Sequence, residues 1–309
     1  MKAKNWIKLW STLTVMSIIS LISVITLSNI PLRFSNSISY DVKLNFIRES
    51  KLLENANTLV VGSSMALNNI DGNRIVNKAK KIRKIANLGS WALQSSEVLQ
   101  LLKLINLDEV EYIIYATQYL DFEEKRRSKI DDLEVESYLN NEFILSPYVT
   151  TLTSIPTNIS NYTKYADIYL NPNKYTYLKY DKTGGINLNF SDKYIDKERW
   201  ESIDKEVYTL DEACFDDLVT LSKLARSKGI KLIVLTTPYR ASMMENNGNL
   251  SEIYTSYVEK VKILSKKHGF AYFNTHDTLN LDDKYFVDGI HLKKHGAALV
   301  SDEIIKYLN

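Results

Sequence analysis

The sequence is poor in cysteine and histidine, the residues that form disulfides and bind structural metal ions. It has one cysteine, Cys214, with ten glycines, five prolines and four histidines in 309 residues. A single cysteine excludes an intrachain disulfide and a cysteine-based metal cluster. The net charge of +2 is far from the strongly basic balance of dedicated nucleic-acid binders, so we expect no nucleic-acid partner.

The remaining composition is that of a globular protein. Apolar residues make up 45% of the chain and charged residues 25%, which is an ordinary balance for a protein with a packed core. The length suffices for one large domain or two ordinary ones. The sequence shows no internal repeat and no low-complexity tract. Composition and length therefore favour a conventional folded domain.

The longest apolar stretch lies near the N-terminus. Residues 9–32 form a run of 24 residues without a charged side chain, and three lysines precede it. About 20 apolar residues suffice for a helix to cross a bilayer, and the flanking lysines predict a cytoplasmic N-terminus. We therefore predict a single-pass protein of the cell membrane, with residues 1–35 as cytoplasmic tip and anchor and residues 36–309 extracytoplasmic. A cleaved signal peptide is the alternative, which the length of the run disfavours.

Short apolar runs alternate with amphipathic stretches along the rest of the chain. The predicted strands cover residues 58–61, 82–88, 110–116, 230–236 and 271–274, and the predicted helices cover residues 95–106, 206–227, 250–268 and 293–308. Strands that alternate with helices predict an α/β fold with a parallel sheet and right-handed crossovers. Residues 36–57 are more polar, and we predict a stalk helix there.

The alternation stops between about residues 120 and 205. This stretch holds three of the five prolines, Gly184-Gly185 and about half of the 20 tyrosines. We predict an insertion, partly helical, that covers the edge of the sheet. Its tyrosines are interpreted as half-buried scaffold residues or as platforms that stack on sugar rings.

A Gly-Ser-Ser sequence directly follows the first predicted strand. Gly62 permits a tight turn, and Ser63 and Ser64 come next. A serine past the end of a buried parallel strand lies at the carboxyl edge of the sheet, where α/β proteins bind ligands. Such a serine is a candidate nucleophile, although a plain loop has the same residue types. Ser63 is the alternative nucleophile to Ser64.

A second candidate motif lies close to the last predicted helix. Asp288 precedes His291 by three residues, a spacing that lets the carboxylate fold back onto the imidazole. The carboxylate would then fix the tautomer of the ring, and the other ring nitrogen could accept a proton from a serine. An Asp that caps a helix beside a surface histidine is the alternative interpretation.

The other histidines offer weaker candidates. His291 and His295 are four residues apart and could share a helix face, but the chain has no His-Glu-x-x-His pattern. We therefore expect no metal site. His276-Asp277 is a second His–Asp pair, but no serine motif accompanies it.

Together these motifs resemble the SGNH/GDSL hydrolase superfamily. Besides Ser64 and the Asp-x-x-His motif, Gly89 follows the second strand and Thr117-Gln118 follows the third. The resemblance covers about residues 55–119 and 206–309 and implies a flavodoxin-like three-layer α/β/α sandwich. It implies that Ser64 is the nucleophile, His291 the general base and Asp288 the group that orients it. The implied oxyanion hole consists of the backbone N–H groups of Ser64 and Gly89 and the side-chain amide of Gln118.

Two motifs differ from the common SGNH/GDSL pattern, and the differences point to one branch of the superfamily. The first motif reads Gly-Ser-Ser instead of Gly-Asp-Ser, and residues 116–119 read Ala-Thr-Gln-Tyr instead of Gly-x-Asn-Asp. Both are similar to a membrane-anchored branch that includes the D-alanyl transfer proteins of teichoic-acid modification and polysaccharide O-acetyltransferases.

This branch implies an activity that needs no cofactor. The chain would transfer an acetyl or D-alanyl group to hydroxyls of a cell-surface glycan or teichoic acid, beside a multi-pass membrane O-acyltransferase. A carbohydrate esterase or deacetylase with the same triad is the first alternative. A non-catalytic partner of a membrane acyltransferase with the same fold is the second.

Overall fold

The computed structural model describes most of the chain. The described residues are 3–27, 31–123, 132–154, 168, 171–174, 176–189, 191–202, 209–245 and 248–309. The statements below concern these residues.

Within the described residues, five strands form one parallel sheet. They are β1 (Thr58–Gly62), β2 (Ile85–Asn87), β3 (Tyr112–Thr117), β4 (Lys231–Thr236) and β5 (Ala271–Asn274). Their order is β2-β1-β3-β4-β5, and each neighbouring pair is parallel. This is the strand order of flavodoxin-like folds, so the predicted α/β fold with a parallel sheet is confirmed.

Helices connect and flank these strands. In chain order they are α1 (Ala3–Leu27), α2 (Ile38–Glu49), α3 (Ser64–Asn68), α4 (Gly72–Lys78), α5 (Ser95–Leu104), α6 (Asp132–Leu139), α7 (Ser146–Ser154), α8 (Lys197–Ser202), α9 (Glu212–Ser227), α10 (Ala241–Glu245), α11 (Gly248–His268), α12 (Thr275–Leu279) and α13 (Lys294–Leu308). The helices predicted from periodicity are observed as α5, α9, α11 and α13, with ends that differ by a few residues. Residues 206–208, at the predicted start of α9, lie outside the described part.

The longer helices form two groups. Helix α9 packs beside α5 and α11, and α13 packs against α4. The chain passes through α4 on its way from β1 to β2, whereas α5, α9 and α11 lead in the opposite direction across the sheet. Right-handed crossovers therefore place the two groups on opposite faces. The sheet lies between them, which gives a three-layer arrangement.

The central strands are buried on both faces. Every residue of β1 and every residue of β3 is buried. Such strands read as continuous apolar runs, because neither face can carry solvated side chains. This explains why β1 and β3 were readable from the sequence, and it fixes the place where β1 ends and the serine motif begins.

The membrane-spanning helix predicted near the N-terminus is not observed in the described residues. The predicted membrane-spanning run falls largely on α1, and residues 28–30 lie outside the described part. Among the residues described, no helix has both the length and the hydropathy needed to cross a membrane. The structure therefore does not show the predicted transmembrane helix, and the division at residue 35 stays a prediction.

The helix predicted over residues 36–57 is observed as α2, but its predicted role as a stalk is wrong, because α2 is packed into the domain. Leu44 and Ile47 are buried in the main core. Lys43 is fully buried, and its Nζ donates to the backbone oxygens of Asn87 at 3.0 Å and Gly184 at 2.5 Å. Burial lowers the pKa of Lys43 well below its ordinary value. Buried hydrogen bonds of this kind tie α2 to the end of β2.

Part of the predicted insertion lies against the sheet. The Asn87 N–H donates to the Thr183 oxygen at 2.7 Å, and the Ile186 N–H donates to the Leu67 oxygen at 2.8 Å. These bonds cover the outer edge of β2 and the end of α3. The insertion thereby satisfies backbone groups that an edge strand would otherwise expose.

Gly62 permits the close contact between β1 and β3 at the start of the serine motif. Its φ is +134°, and a Cβ built there would lie 2.3 Å from the Ala116 oxygen. We expect Gly62→Ala to lower the free energy of unfolding by about 3 kcal/mol, at the upper end of the cost of a strained backbone. Urea unfolding followed by circular dichroism measures this loss.

Gly229→Ala is the matched control. Gly229 has a φ of +71°, but no atom lies within 4 Å of the position of its Cβ. We expect a loss of about 1 kcal/mol from the left-handed backbone alone. Equal losses in the two variants would contradict the role assigned to the contact with Ala116.

Candidate active site

Ser64 is positioned by the turn that leaves β1. Ser63 is the N-cap of α3, and its hydroxyl accepts from the Met65 N–H at 3.4 Å. Ser64 is then the first residue of the helix, and its Oγ lies 2.7 Å from His291 Nε2. The structure thus brings Ser64, the favoured candidate, to His291, while Ser63 caps the helix.

His291 lies in a tight loop ahead of α13. Phe286 and Leu292 form an antiparallel bridge, and the Val287 N–H donates to the His291 oxygen at 2.9 Å. Asp288 Oδ1 accepts from the Ile290 N–H at 2.9 Å and from the His291 N–H at 2.8 Å. The carboxylate therefore folds back onto its own loop, the conformation expected from the Asp-x-x-His spacing.

The buried Asp288 carboxylate orients the His291 ring. His291 Nδ1 lies 2.8 Å from Asp288 Oδ2, and the two residues are 2% and 1% exposed. Because an ionised carboxylate only accepts hydrogen bonds, Nδ1 carries the proton and Nε2 accepts the Ser64 hydroxyl.

The surroundings of Asp288 keep it ionised. Burial alone would raise its pKa, but the charge of His291 and the hydrogen bonds from His291 and Ile290 outweigh burial and hold the pKa below its ordinary value. The carboxylate is therefore charged at neutral pH and accepts the hydrogen bond from Nδ1 of His291.

Arg199 is a neighbour of the site that the sequence did not reveal. Its guanidinium Nη2 lies 3.7 Å from Asp288 Oδ2, and its side chain is 41% exposed. Arg199 belongs to α8, inside the predicted insertion, where no periodic pattern marks individual residues. A cavity of about 300 Å³ adjoins Asp288 there, and Lys174, Tyr194 and Arg199 are among its lining residues. The insertion therefore reaches the edge of the site.

Gly89 allows the β2 loop to approach α3 closely. A Cβ at this position would lie 2.7 Å from the Leu67 nitrogen and 2.8 Å from the Ala66 Cβ. The Gly89 N–H donates to Asn87 Oδ1 at 2.9 Å, and Asn87 Nδ2 donates to the Ala66 oxygen at 2.6 Å. The amide predicted as an oxyanion donor is thus already partnered by Asn87. The oxyanion role of Gly89 stays a prediction, and it requires the Gly89 N–H to leave Asn87 Oδ1 and donate to the oxyanion instead.

Gln118 lies at the same edge of the sheet. Gly62 pairs with Ala116, so the residues after β1 and β3 emerge side by side. Gln118 is buried, and its backbone N–H donates to Asp121 Oδ2 at 3.0 Å. The fold thus places Ser64, Gly89 and Gln118 after three neighbouring strands, while the oxyanion roles of Ser64 and Gln118 remain predictions.

The other histidines lie elsewhere. His276 Nδ1 accepts from the Tyr239 N–H at 3.2 Å, and the ring packs edge-on against Tyr239 and Tyr254. His295 is exposed on α13. In the part of the chain that the structure describes, no group of three or more His, Cys, Asp or Glu residues could hold a metal ion. The contacts of His276 with Tyr239 and Tyr254 indicate a role in packing.

Burial of His276 predicts a pH dependence of stability. Burial lowers the pKa of His276 below its ordinary value. As the pH falls below about 6.5, the unfolded chain binds a proton that the folded chain resists, so stability decreases toward acid. We expect His276→Gln to show a smaller decrease in the free energy of unfolding between pH 7 and pH 5. Equal slopes for the two proteins in urea titrations would contradict this assignment.

These observations define the class of protein. A flavodoxin-like sheet, a serine directly after β1 and an Asp-x-x-His loop ahead of the last helix are the features of an SGNH-like protein. The DltD protein family matches residues 33–309, and the chain belongs to that family, the D-alanyl transfer proteins. No curated protein matches the sequence.

Two solved structures are similar to this chain at low sequence identity. A carbohydrate acetylesterase, Est24 from Sinorhizobium meliloti, is 10% identical with a TM-score of 0.41, covering 82% of this chain and 98% of its own. A GDSL-like lipase from Bacteroides thetaiotaomicron is 10% identical with a TM-score of 0.39, covering 87% of this chain and 100% of its own.

Proposed function

We propose that the chain is an extracytoplasmic serine acyltransferase that modifies hydroxyls of teichoic acid or another cell-surface glycan. The 2.7 Å contact between Ser64 Oγ and His291 Nε2 carries this proposal, together with membership of the DltD family. Serine nucleophiles are activated by a hydrogen bond from their hydroxyl to an imidazole, and a buried carboxylate orients that imidazole. This is the arrangement of Ser64, His291 and Asp288. D-alanyl is the acyl group that the family favours, and acetyl is the other candidate.

The first half of the proposed reaction loads the acyl group onto Ser64. Ser64 Oγ attacks the carbonyl carbon of the acyl donor while His291 Nε2 takes the hydroxyl proton. Asp288 stabilises the imidazolium that forms, because its carboxylate is buried and ionised. When the bond to the leaving group breaks, His291 returns the proton to that group. The acyl group is then an ester on Ser64.

The second half transfers the acyl group to the acceptor. An acceptor hydroxyl attacks the ester carbonyl, and His291 takes the proton of that hydroxyl. The bond between the acyl group and Ser64 Oγ then breaks, and His291 returns the proton to Ser64 Oγ. In both halves the negative oxygen of the tetrahedral intermediate requires donors. The proposal assigns the Ser64 N–H and the Gln118 amide to this role, with the Gly89 N–H joining if Asn87 releases it. Removing one such donor typically costs about 10²–10³ in rate.

The location and the partner are further parts of the proposal. Family membership supports an extracytoplasmic domain held at the membrane, and the charge-free run over residues 9–32 supports membrane attachment. A multi-pass membrane O-acyltransferase would supply the acyl group. Co-purification of the full chain with such an enzyme tests this part.

Variants of the site test the proposed role of the triad. We expect Ser64→Ala to lower kcat by about 10⁶-fold, the size of loss seen when a nucleophilic serine is removed. We expect Asp288→Asn to lower kcat by about 10⁴-fold, because the amide favours the wrong tautomer of His291. Turnover of a chromogenic acetyl ester by the purified full chain measures both.

Ser63→Ala is the matched control for Ser64→Ala. It removes a helix cap, which costs about 1 kcal/mol of stability, and it leaves the Ser64–His291 pair in place. We expect it to keep most of the activity. Full glycan modification by a Ser64→Ala strain would contradict the proposal and favour a non-catalytic role.

The acceptor is tested by adding glycan to the ester assay. Transfer predicts slow hydrolysis in water alone and acyl groups on added teichoic acid or polysaccharide, found by mass spectrometry of the polymer. Fast hydrolysis that is indifferent to the acceptor would contradict transfer and favour the esterase alternative, because both reactions use the same acyl-serine.

A further inference from the structure

Asn69 connects the serine helix to both sides of His291. Its side-chain Nδ2 donates to the Ile290 oxygen at 2.9 Å, and its Oδ1 accepts from the Leu292 N–H at 2.8 Å. Asn69 is completely buried. One amide group thus bonds the backbone immediately before and immediately after the histidine.

Asn69 also belongs to the short element that carries Ser64. It is the C-cap of α3, and its backbone N–H donates to the Met65 oxygen at 3.0 Å. Ser64 is the first residue of this five-residue helix. The helix therefore meets the histidine loop through Ser64 at one end and through Asn69 at the other, so a shift of either segment changes both contacts.

The Asp288–His291 pair does not depend on Asn69. Asp288 bonds the ring and two backbone N–H groups within its own loop. The loop can therefore keep its internal geometry and still move as a unit against α3. What such a movement would change is the distance between His291 Nε2 and Ser64 Oγ.

We propose that Asn69 is a positioning residue that sets the Ser64–His291 distance by bonding the backbone on both sides of His291. The inference rests on the proposed function, because it assigns Asn69 a role through that pair. The role requires an amide, since one end must donate to a carbonyl and the other must accept from an N–H. Aspartate has the same size, but its ionised carboxylate cannot donate to the Ile290 oxygen.

The rate at which a fluorophosphonate labels Ser64 in the full chain tests this proposal. In that reaction the Ser64 Oγ–P bond forms, the P–F bond breaks, fluoride leaves, and His291 takes the hydroxyl proton. We expect Asn69→Ala to label about 10²-fold more slowly, because a misplacement of about 1 Å between catalytic groups costs about that factor. The rate is measured well below the melting temperature of each variant, so that stability alone does not change it.

Asn68→Ala is the matched control. Asn68 is the neighbouring buried asparagine on α3, and its Nδ2 donates to the oxygen of Ile186 at 3.0 Å, a bond to a residue outside the histidine loop. We expect it to lose stability and keep a labelling rate close to that of the wild type. Asn69→Asp is the second variant should Asn69→Ala not fold, and we expect it also to label slowly.

The outcomes separate this inference from the proposed function. Slow labelling of folded Asn69 variants with normal labelling of Asn68→Ala supports the positioning role. Labelling of folded Asn69→Ala or Asn69→Asp at the wild-type rate, or equal slowing in Asn68→Ala, would overturn it. Undiminished labelling of Ser64→Ala would instead contradict the nucleophile assignment itself.

Discussion

The site depends on one contact between distant parts of the chain. Ser64 and His291 are 227 positions apart and meet at 2.7 Å. No local preference produces such a contact, so the sheet must produce it. β1 delivers the serine to its carboxyl edge, and the loop before α13 delivers the histidine to the same edge. Helix–strand alternation is thus the means by which this chain assembles its candidate nucleophile and base.

Close packing and burial give the contact its chemical character. Gly62 and Gly89 let backbone segments approach more closely than any side chain would allow. Asp288 and His291 are almost fully buried, and in a poorly solvated environment their mutual attraction is stronger than in water. Burial of Asp288 would be unfavourable on its own, and its hydrogen bonds from Ile290 and His291 offset that cost. The carboxylate can therefore stay charged inside the protein.

The sequence predicted the features that local pattern encodes. The continuous apolar runs of β1 and β3 and the helical spacing of α5 follow from burial, and the Asp-x-x-His spacing is enough for the carboxylate to reach its own histidine. Asn69 and Arg199 were missed because their partners lie far along the chain. Asn87 was missed because nothing in its neighbourhood marks it, although one of its partners, Gly89, is only two residues away. The packing of α2 into the domain was missed for the same reason, since a lysine such as Lys43 is expected to be exposed until its buried carbonyl partners are known. The ends of the helices also differ, because capping depends on the surrounding structure.

The central claim is that Ser64 carries the acyl group during the reaction. The most direct measurement incubates the full chain with an activated acyl ester, quenches in acid and maps the modified peptide by mass spectrometry. The account predicts an acyl group on Ser64 that appears in the wild type and fails to accumulate in His291→Ala. An acyl group on a different residue, or ester turnover without any acyl-protein under rapid quenching, would contradict it.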